Sequence, residues 1–437
     1  MTESIKQHPQ ATPAAIPSRW LTRNTWCIAG SAFFADLGYQ AIIAGFPLLI
    51  VVVLHGTTRE FALASALAYG GGALSGYIGG RLGDRYGRRR VALIGNLGIV
   101  LLALCGLAAA PWQAVALFVA GWWSRNFRSP PRRALLAAGT APESRSRAFG
   151  FLHALDVGGG MLAALGLLGL LAAGVSLGHA FLFALAPLLA SSVVLAGARE
   201  VHQPQPPDIS EESPAVAEKS CEPAQPDQVQ TSPAGEPGTR EAEKVTRAVL
   251  IATALFGFSS YSIGFPVLTV AQGSHSLTQG VGAYAVFLGV SAATGWLIAT
   301  RSWPAIATLA IAGYALSAVG TLGLGLMANF NQKTALEYVT IGLLGAALGV
   351  IETVEPSTIA NLAKLARQGR AMGKLTAARG IGLLAGNLIM GLLYTLSPLA
   401  AYAYAAAVGL AAAVVLVPSA IKGRDPLSRP RPADQGS

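Results

Sequence analysis

The stretch that decides the fold runs from residue 61 to residue 110. It reads FALASALAYGGGALSGYIGG, then RLGDRYGRRR, then VALIGNLGIVLLALCGLAAA. Each outer segment is apolar and about as long as a helix needs to be to cross ~30 Å of hydrocarbon, whereas the middle segment is strongly basic. Because lipid offers no water to backbone groups, apolar segments of this length must be helical. The pattern predicts two membrane-spanning helices joined by a charged loop.

The composition of the whole chain agrees with this interpretation. Of the 437 residues, 53% are hydrophobic and 12% are charged, whereas soluble proteins carry about 25% charged residues. A soluble multi-domain enzyme is therefore excluded. Apolar segments between charge clusters predict twelve spans, at 25–54, 61–80, 91–110, 113–138, 147–173, 179–198, 246–270, 280–300, 304–327, 335–361, 372–395 and 398–419.

A polar region separates the two sets of six spans. Residues 200–243 hold ten of the 21 acidic residues and are dense in Pro, Glu, Gln and Ser. Such a segment cannot bury enough apolar surface to fold, so we predict a disordered linker. The predicted domains are an N-terminal tail (1–24), an N-terminal six-helix bundle (25–199), the linker (200–243), a C-terminal six-helix bundle (244–420) and a C-terminal tail (421–437).

Basic residues crowd alternate loops. Outside the linker the chain carries 29 Lys and Arg against 11 acidic residues, and they concentrate in 81–90, 145–147, 364–370 and 422–431. By the positive-inside rule both termini and the linker are cytoplasmic. Because the basic residues follow membrane loops, no nucleic-acid partner is expected.

The two halves resemble each other. GFP at 45–47 recurs at 264–266, an offset of 219, and RAFG at 147–150 is matched by RAMG at 370–373, an offset of 223. Parallel six-span repeats predict a two-fold axis along the membrane normal, with the substrate path between the halves.

The loop Gly80-Arg81-Leu82-Gly83-Asp84-Arg85-Tyr86-Gly87-Arg88-Arg89 resembles the signature Gly-x-Leu-x-Asp-Arg-x-Gly-Arg-Lys/Arg of the major facilitator superfamily. The resemblance implies an all-α membrane protein with twelve transmembrane helices in two pseudo-symmetric six-helix bundles, working by alternating access. It also implies a gating role for Gly80, Asp84, Arg85, Gly87 and Arg88. In the family the Asp meets the positive N-terminal end of the eleventh span.

A second stretch resembles a bacterial drug and small-solute branch of that superfamily, which implies a location in a bacterial inner membrane. It comprises RSPPRRALLA at 128–137, RAFGF at 147–151 and Asp156. The chain departs from the branch at Arg133, where Asp is common, and at His153, where Arg is common. The fifth span also has Ala163-Ala164 where proton antiporters often carry Gly-Pro, so the subfamily stays open.

Charged residues within spans need a partner or a purpose, because each costs ~2.5–3.5 kcal/mol on insertion scales. A buried carboxylate takes up a proton more readily than an exposed one, so Asp36 is the first candidate for proton coupling and Asp156 the second. The alternative is a static ion-pair network. The predicted substrate and proton pathway comprises Asp36, Gln40, Arg125, Arg128, His153, Asp156, Tyr261, Arg379 and Asn387, with Tyr39, Ser259 and Trp296 as further cavity residues. Glu352 and Glu355 join the gating set, and Arg132, Arg133 and Glu355 suit locks between the halves.

The leading functional hypothesis is a proton-driven transporter of a small organic solute. The alternative within the fold is a transporter of a metal ion or a metal chelate such as a siderophore, since Asp36, Asp156 and His153 offer O and N ligands. A membrane enzyme and a receptor that does not transport are the other classes; no nucleotide loop, zinc motif or Ser-His-Asp pattern supports an enzyme. We expect no metal, no cofactor beyond the proton gradient, no disulfide among the three cysteines, and a monomer whose partners are the solute and the lipid bilayer.

Overall fold

The structure is a computed structural model that describes residues 20–141, 144–200, 237–300, 303–329, 334–362 and 368–421. Over these residues the chain is helical and contains no strand. The long helices are α1 Arg23–Val53, α2 Thr58–Tyr86, α3 Arg88–Leu107, α4 Pro111–Ala138, α5 Arg145–Ala172, α6 Leu177–Ala196, α7 with its two parts Pro237–Ser259 and Gly264–Ser274, α8 Leu277–Thr300, α9 Ala305–Ala328, α10 Thr334–Leu362, α11 Gln368–Leu396 and α12 Pro398–Ile421.

Eleven of these helices are long and apolar enough to cross a membrane by length and composition. The remaining one, α4, is 28 residues long, and its second half carries four arginines. Within the described residues α1 packs on α5 and α6, while α2 and α3 pack on α4; in the second half α7 packs on α11 and α12, and α8 packs on α10. The predicted all-α fold of two six-helix bundles is confirmed.

Most helix boundaries lie within a few residues of the predicted ones, with two larger differences. Helix α2 continues to Tyr86, so residues 81–86, which we predicted as part of a loop, are helical. Helix α7 begins at Pro237, so residues 237–243, which we predicted as linker, are helical. This stretch contains Arg, Glu, Ala and Glu at 240–243, which are good helix formers. The rest of the predicted linker, 201–236, and most of both tails lie outside the described residues.

Several of the described helices depart from regular α geometry. Helix α3 ends in a 3₁₀ turn at Cys105–Leu107 and α9 contains a π-helical segment at Leu309–Ala315. Helix α1 contains Pro47, which removes a backbone hydrogen bond, and ends in a π-helical turn at Leu49–Val53. Helix α2 has a π-helical turn at Ala66–Gly70. Helix α7, predicted as one continuous span, is interrupted at residues 260–263. Such irregularities are frequent at functional sites.

The two halves meet through the repeated GFP segments. Gly264 lies directly against Phe61 and Pro47, with no room for a Cβ atom. The Phe61 and Phe265 rings make an edge contact with centroids 5.0 Å apart, and Gly391 lies against Ala62. These contacts lie toward the α1–α2 connection, which we name the closed side; the opposite side, which carries the 80–89 loop, is the motif side.

The seam between α5 and α8 opens toward the motif side. A Cβ atom at Gly289 of α8 would lie 3.8 Å from Met161 of α5. Ala154 and Gly150 lie seven and eleven residues earlier, on the same face of α5. Ala154 is exposed, and a Cβ atom at Gly150 would meet nothing within 4 Å. In this conformation the halves therefore touch on the closed side and diverge toward the motif side.

Candidate functional site

The interruption of α7 is held by side chains of its own and of α11. The Ser262 N–H donates to Oδ1 of Asn387 at 2.9 Å, and the Gly264 N–H donates to Oγ of Ser262 at 3.2 Å. A Cβ atom at Gly386 of α11 would lie 2.6 Å from the Ser260 carbonyl oxygen, so the glycine allows the broken backbone to approach. Non-helical backbone at membrane depth is tolerated only where it is buried or lines a cavity.

A cavity of about 250 Å³ lies beside this interruption. Its walls are mostly apolar, and polar groups enter them at a few points. Tyr261 shares a hydrogen bond with Thr321 of α9, with the two oxygens 3.0 Å apart. The side chains that give the cavity its chemistry are the aromatic residues Tyr69, Phe256, Tyr261 and Phe287, the hydroxyl residues Ser259, Ser260, Ser262, Ser317 and Thr321, and one cation, Arg379. The cavity fits a small amphipathic molecule.

One ion pair stands at the edge of this cavity. Arg379 of α11 donates from Nη2 to Oε1 of Glu352 at 2.6 Å. Arg379 lines the cavity, whereas the Glu352 side chain is 53% exposed, so the pair marks the mouth of the cavity. Nε of Arg379 is buried and has no hydrogen-bond acceptor among the described residues, which leaves it free for a ligand.

The second polar centre is built on α1 around Asp36, which is 4% exposed. Its Oδ1 accepts hydrogen bonds from the hydroxyl of Tyr39 and from Nε2 of Gln40, the latter at 3.4 Å. The Arg125 guanidinium lies over the Tyr39 ring at 5.0 Å and over the Trp122 ring at 4.7 Å. The cation is thus held mainly by aromatic faces.

Two short routes join the Asp36 centre to the cavity. The hydroxyl of Tyr284, in α8, donates to Oε1 of Gln40 at 2.5 Å, and its ring stacks on Phe287 with centroids 6.3 Å apart. On the other route, Trp122 makes an edge contact with Tyr69 at 4.8 Å. Phe287 and Tyr69 both line the cavity. The predicted residues Asp36, Gln40, Arg125, Tyr261, Arg379 and Asn387 therefore belong to one continuous region.

Arg128 and Asp156 lie apart from the cavity lining. Arg128 is buried and donates to Oδ1 of Asn96, whose amide in turn donates to Ser191 and Ser192 at 3.1 and 2.8 Å. This polar cluster joins α4 to α3 and α6. Asp156 pairs with Arg132 at 3.8 Å.

Charged residues occupy matching positions in the two halves but pair differently, since Arg132 pairs with Asp156 whereas Arg379 pairs with Glu352. With the 223-residue offset, Arg132 and Asp156 correspond to Glu355 and Arg379. Glu355 is fully buried and accepts a hydrogen bond from the Tyr314 hydroxyl at 2.8 Å. We expected opposite charges to face each other across the cavity; in this conformation the described ion pairs form within each half instead.

Two predicted residues face outward. His153 is exposed, and Trp296 is 70% exposed. Among the described residues no group of three or more His, Cys, Asp or Glu side chains is arranged to hold a metal ion. Ser259, by contrast, lines the cavity and donates to the Ala405 carbonyl oxygen at 2.7 Å.

The signature loop forms a tight corner between α2 and α3. Gly87 has φ of +98°, which only glycine adopts freely. Asp84 pairs with Arg88 at 3.3 Å. The carboxylate of Glu200, at the end of the N-terminal half, accepts from the N–H groups of Arg88 and Arg89 at 3.0 and 2.8 Å. We expected Asp84 to meet the start of α11, but the side chains there lie outside the described residues.

Gly80 and Arg85 occupy the α2 side of this corner. A Cβ atom at Gly80 would lie 3.4 Å from Pro130 of α4, so α2 and α4 approach closely there. The Arg85 guanidinium lies over the Tyr86 ring at 5.3 Å.

Sequence reasoning missed several residues of the region, among them Tyr69, Tyr284, Thr321 and Ser262. One signal was available for the break. The run Ser259-Ser260-Tyr261-Ser262 is polar within an apolar span, between Gly257 and Gly264. Tyr284 had no such signal, because its role depends on a contact with the other half.

Comparison with known proteins gives a consistent result. The sequence model of the Major Facilitator Superfamily matches residues 28–336. An uncharacterised protein of Mycobacterium tuberculosis is 26% identical over 362 residues, which cover 80% of this chain and 79% of that protein. A 117-residue segment is 40% identical to the puromycin resistance protein pur8 of Streptomyces alboniger, covering 26% of this chain and 22% of that protein.

Solved structures share the fold. A POT family transporter in complex with 5-aminolevulinic acid aligns with a TM-score of 0.68 at 12% identity and covers 92% of this chain and 96% of that chain. A D-xylose-proton symporter aligns with a TM-score of 0.67 at 14% identity, covering 90% and 96%. At these identities the likeness concerns the fold alone.

Proposed function

Because the chain belongs to the major facilitator superfamily, we propose that it moves a small amphipathic organic solute across the membrane by alternating access, coupled to protons. The family and the fold make the chain a multi-pass membrane transporter rather than an enzyme. The solute, the coupling ion and the orientation are the parts that we propose.

The observation that carries the proposal is the broken helix α7 beside a cavity. Transporters commonly build substrate sites from discontinuous helices at the interface of their repeats. Here the break supplies Ser260, Tyr261 and Ser262 to the cavity wall, and Tyr69 extends the wall into the other half. The site is thus placed to sense the relative position of the halves.

The cavity lining favours an amphipathic solute with an aromatic part. Four aromatic side chains can stack on a ring, hydroxyl groups can bond its polar substituents, and Arg379 adds a donor. Puromycin is a suitable first probe, since one relative is named for resistance to it and the molecule has both an aromatic and a polar part.

Asp36 is the residue that we propose to carry the coupling proton. It is buried in α1, and its partners Tyr39 and Gln40 connect it to both routes toward the cavity. The D-xylose-proton symporter has the same fold, which makes proton coupling on this scaffold a reasonable expectation.

The proposed orientation places the motif side in the cytoplasm of a bacterial cell. The basic loop 81–90 lies on that side, as the positive-inside rule requires. The conformation described above then corresponds to a state open toward the cytoplasm. Single cysteines introduced in the linker should be labelled from the cytoplasmic side only; labelling from the outside alone would overturn the orientation.

Flux of tritiated puromycin into proteoliposomes with an imposed pH gradient tests the function. We expect gradient-driven accumulation that an uncoupler abolishes. Ser317→Leu places bulk in the cavity and should raise the puromycin Kd, whereas Thr395→Leu, an exposed change on α11, should not. Equal Kd values for the two variants would show that the cavity is not the puromycin site. Flux that is insensitive to the pH gradient would contradict the proposed proton coupling.

A further inference from the structure

A second cavity lies in the C-terminal half, toward the closed side. It measures about 100 Å³, which leaves room for a few water molecules. Thr269 and Gln272 of α7, Glu337 of α10 and Tyr394 of α11 contribute its polar groups. None of these four belongs to the region around Asp36 or to the lining of the central cavity.

Glu337 is the unusual member of this set. It is 3% exposed, yet among the described residues no group donates a hydrogen bond to its carboxylate, and no Arg, Lys or His forms an ion pair with it. The phenols of Tyr338, Tyr394 and Tyr402 are close enough to interact electrostatically with it. Burying an ionised carboxylate without partners is costly, and although the first turn of α10, in which Glu337 lies, lowers this cost, the site favours a proton or another cation on the carboxylate.

A chain of hydroxyl groups leads from this cavity toward the central one. Thr269 Oγ1 lies 2.7 Å from the Tyr394 hydroxyl and 2.7 Å from the Tyr402 hydroxyl. The Tyr402 ring contacts the Tyr261 ring edge-on, with centroids 5.7 Å apart. Tyr261 and Thr321, which share a hydrogen bond, line the central cavity. Three hydroxyl groups are thus linked in series beside the second cavity, and one ring contact separates them from Tyr261 at the central cavity.

We propose that Glu337 binds the coupling proton on the closed side and delivers it through Tyr394, Thr269 and Tyr402 to the central cavity. The proposal rests on the proposed function. Water in the second cavity carries the proton from Glu337 to the Tyr394 hydroxyl. The Thr269 hydroxyl, which donates to the Phe265 carbonyl oxygen at 3.0 Å in this conformation, turns to donate to Tyr402 as it accepts a proton from Tyr394. One proton thus moves, and every hydroxyl group ends protonated. Hydroxyls 2.7 Å apart leave no space for a metal cation between them, which favours a proton over Na⁺ along this path.

Carbodiimide labelling tests the binding site without any solute. Dicyclohexylcarbodiimide adds to protonated, buried carboxyl groups, and peptide mapping by mass spectrometry locates the adduct. Above its midpoint, labelling of Glu337 should fall about tenfold for each pH unit. Replacing the buffer cation choline with Na⁺ at fixed pH should leave the labelling of Glu337 unchanged. The variant Glu337→Gln should lose the adduct. Protection by Na⁺ would make this a sodium site and overturn the proton assignment, as would the absence of a pH-dependent adduct.

Thr269→Val tests the relay with almost no change of shape. Glu337 should still be labelled in this variant, which shows that it is folded, but accumulation of puromycin driven by the pH gradient should fall about tenfold for each pH unit imposed. Thr395→Val, an exposed change next to Tyr394, is the matched control and should accumulate puromycin like the wild type. Wild-type accumulation by Thr269→Val or by Glu337→Gln would overturn the relay.

Failure of the proposed function has a different signature. Suppose that Glu337 of the wild type is labelled in a pH-dependent way but the protein moves no puromycin under a pH gradient. The proton site is then supported, and the proposed transport of puromycin is contradicted. If the wild type accumulates puromycin and Glu337 is never labelled, the proposed function is supported and the proton site at Glu337 is contradicted.

Discussion

Tyr284 and Gln40 join the two halves of the protein through a hydrogen bond of 2.5 Å, donated by the tyrosine hydroxyl to the amide oxygen. The amide nitrogen of the same Gln40 points to Asp36 at 3.4 Å. An amide can serve both partners because its oxygen accepts while its NH₂ group donates. The protonation state of Asp36 and the contact between α1 and α8 are therefore linked through one side chain.

Tyr284→Phe should weaken the contact between the halves. A hydrogen bond contributes about 0.5–1.5 kcal/mol net, which shifts a two-state equilibrium by roughly two- to tenfold. Spin labels at positions 154 and 296, both exposed near the motif side, would report the shift in a distance distribution. Tyr77→Phe, at an exposed tyrosine of α2, is the control; the same distribution in both variants would show that the bond does not affect the equilibrium.

Asp36→Asn should abolish puromycin accumulation driven by a pH gradient and preserve downhill exchange, because the variant no longer has to load and unload a proton. For one coupled proton, each pH unit sustains about tenfold accumulation, and this factor should disappear. Both modes are measured in the same proteoliposomes after the fold has been checked. A structural Asp36 would instead impair both modes alike, and undiminished uphill transport would move the search to Asp156.

The fold could be predicted almost completely from the sequence, since lipid forces long apolar segments to be helical and the 80–89 signature is contiguous. Asp36 and Arg125 could be found because a charge within an apolar span is conspicuous. The contacts that organise the site were hidden because they join distant positions. Asn387 is 125 residues from Ser262, and Tyr284 is 244 residues from Gln40.

Asp84→Asn should slow puromycin transport while leaving folding and puromycin binding largely intact. The exposed Asp84–Arg88 pair bridges the corner between α2 and α3, and exposed pairs contribute only about 0.2–1 kcal/mol. Lost stability therefore cannot explain a rate decrease of more than about fivefold; a larger decrease would indicate a role in switching. Rates are taken from proteoliposomes and binding from thermal shift, and normal flux would show that the charge serves topology alone.

Gly386→Ala should destabilise the protein and impair transport, because the new methyl group meets backbone that cannot yield. Its Cβ would lie 2.6 Å from the Ser260 carbonyl oxygen and 2.8 Å from that of Phe258, both beside the break in α7. Overpacking of this kind costs about 1–3 kcal/mol. Gly342→Ala in α10 is the matched control, since its Cβ would meet nothing within 4 Å and alanine favours a helix by up to ~1 kcal/mol over glycine. Thermal unfolding of the two variants is monitored by size-exclusion chromatography. Equal Tm values would mean that α11 does not pack against the break in α7 as closely as the structure places it.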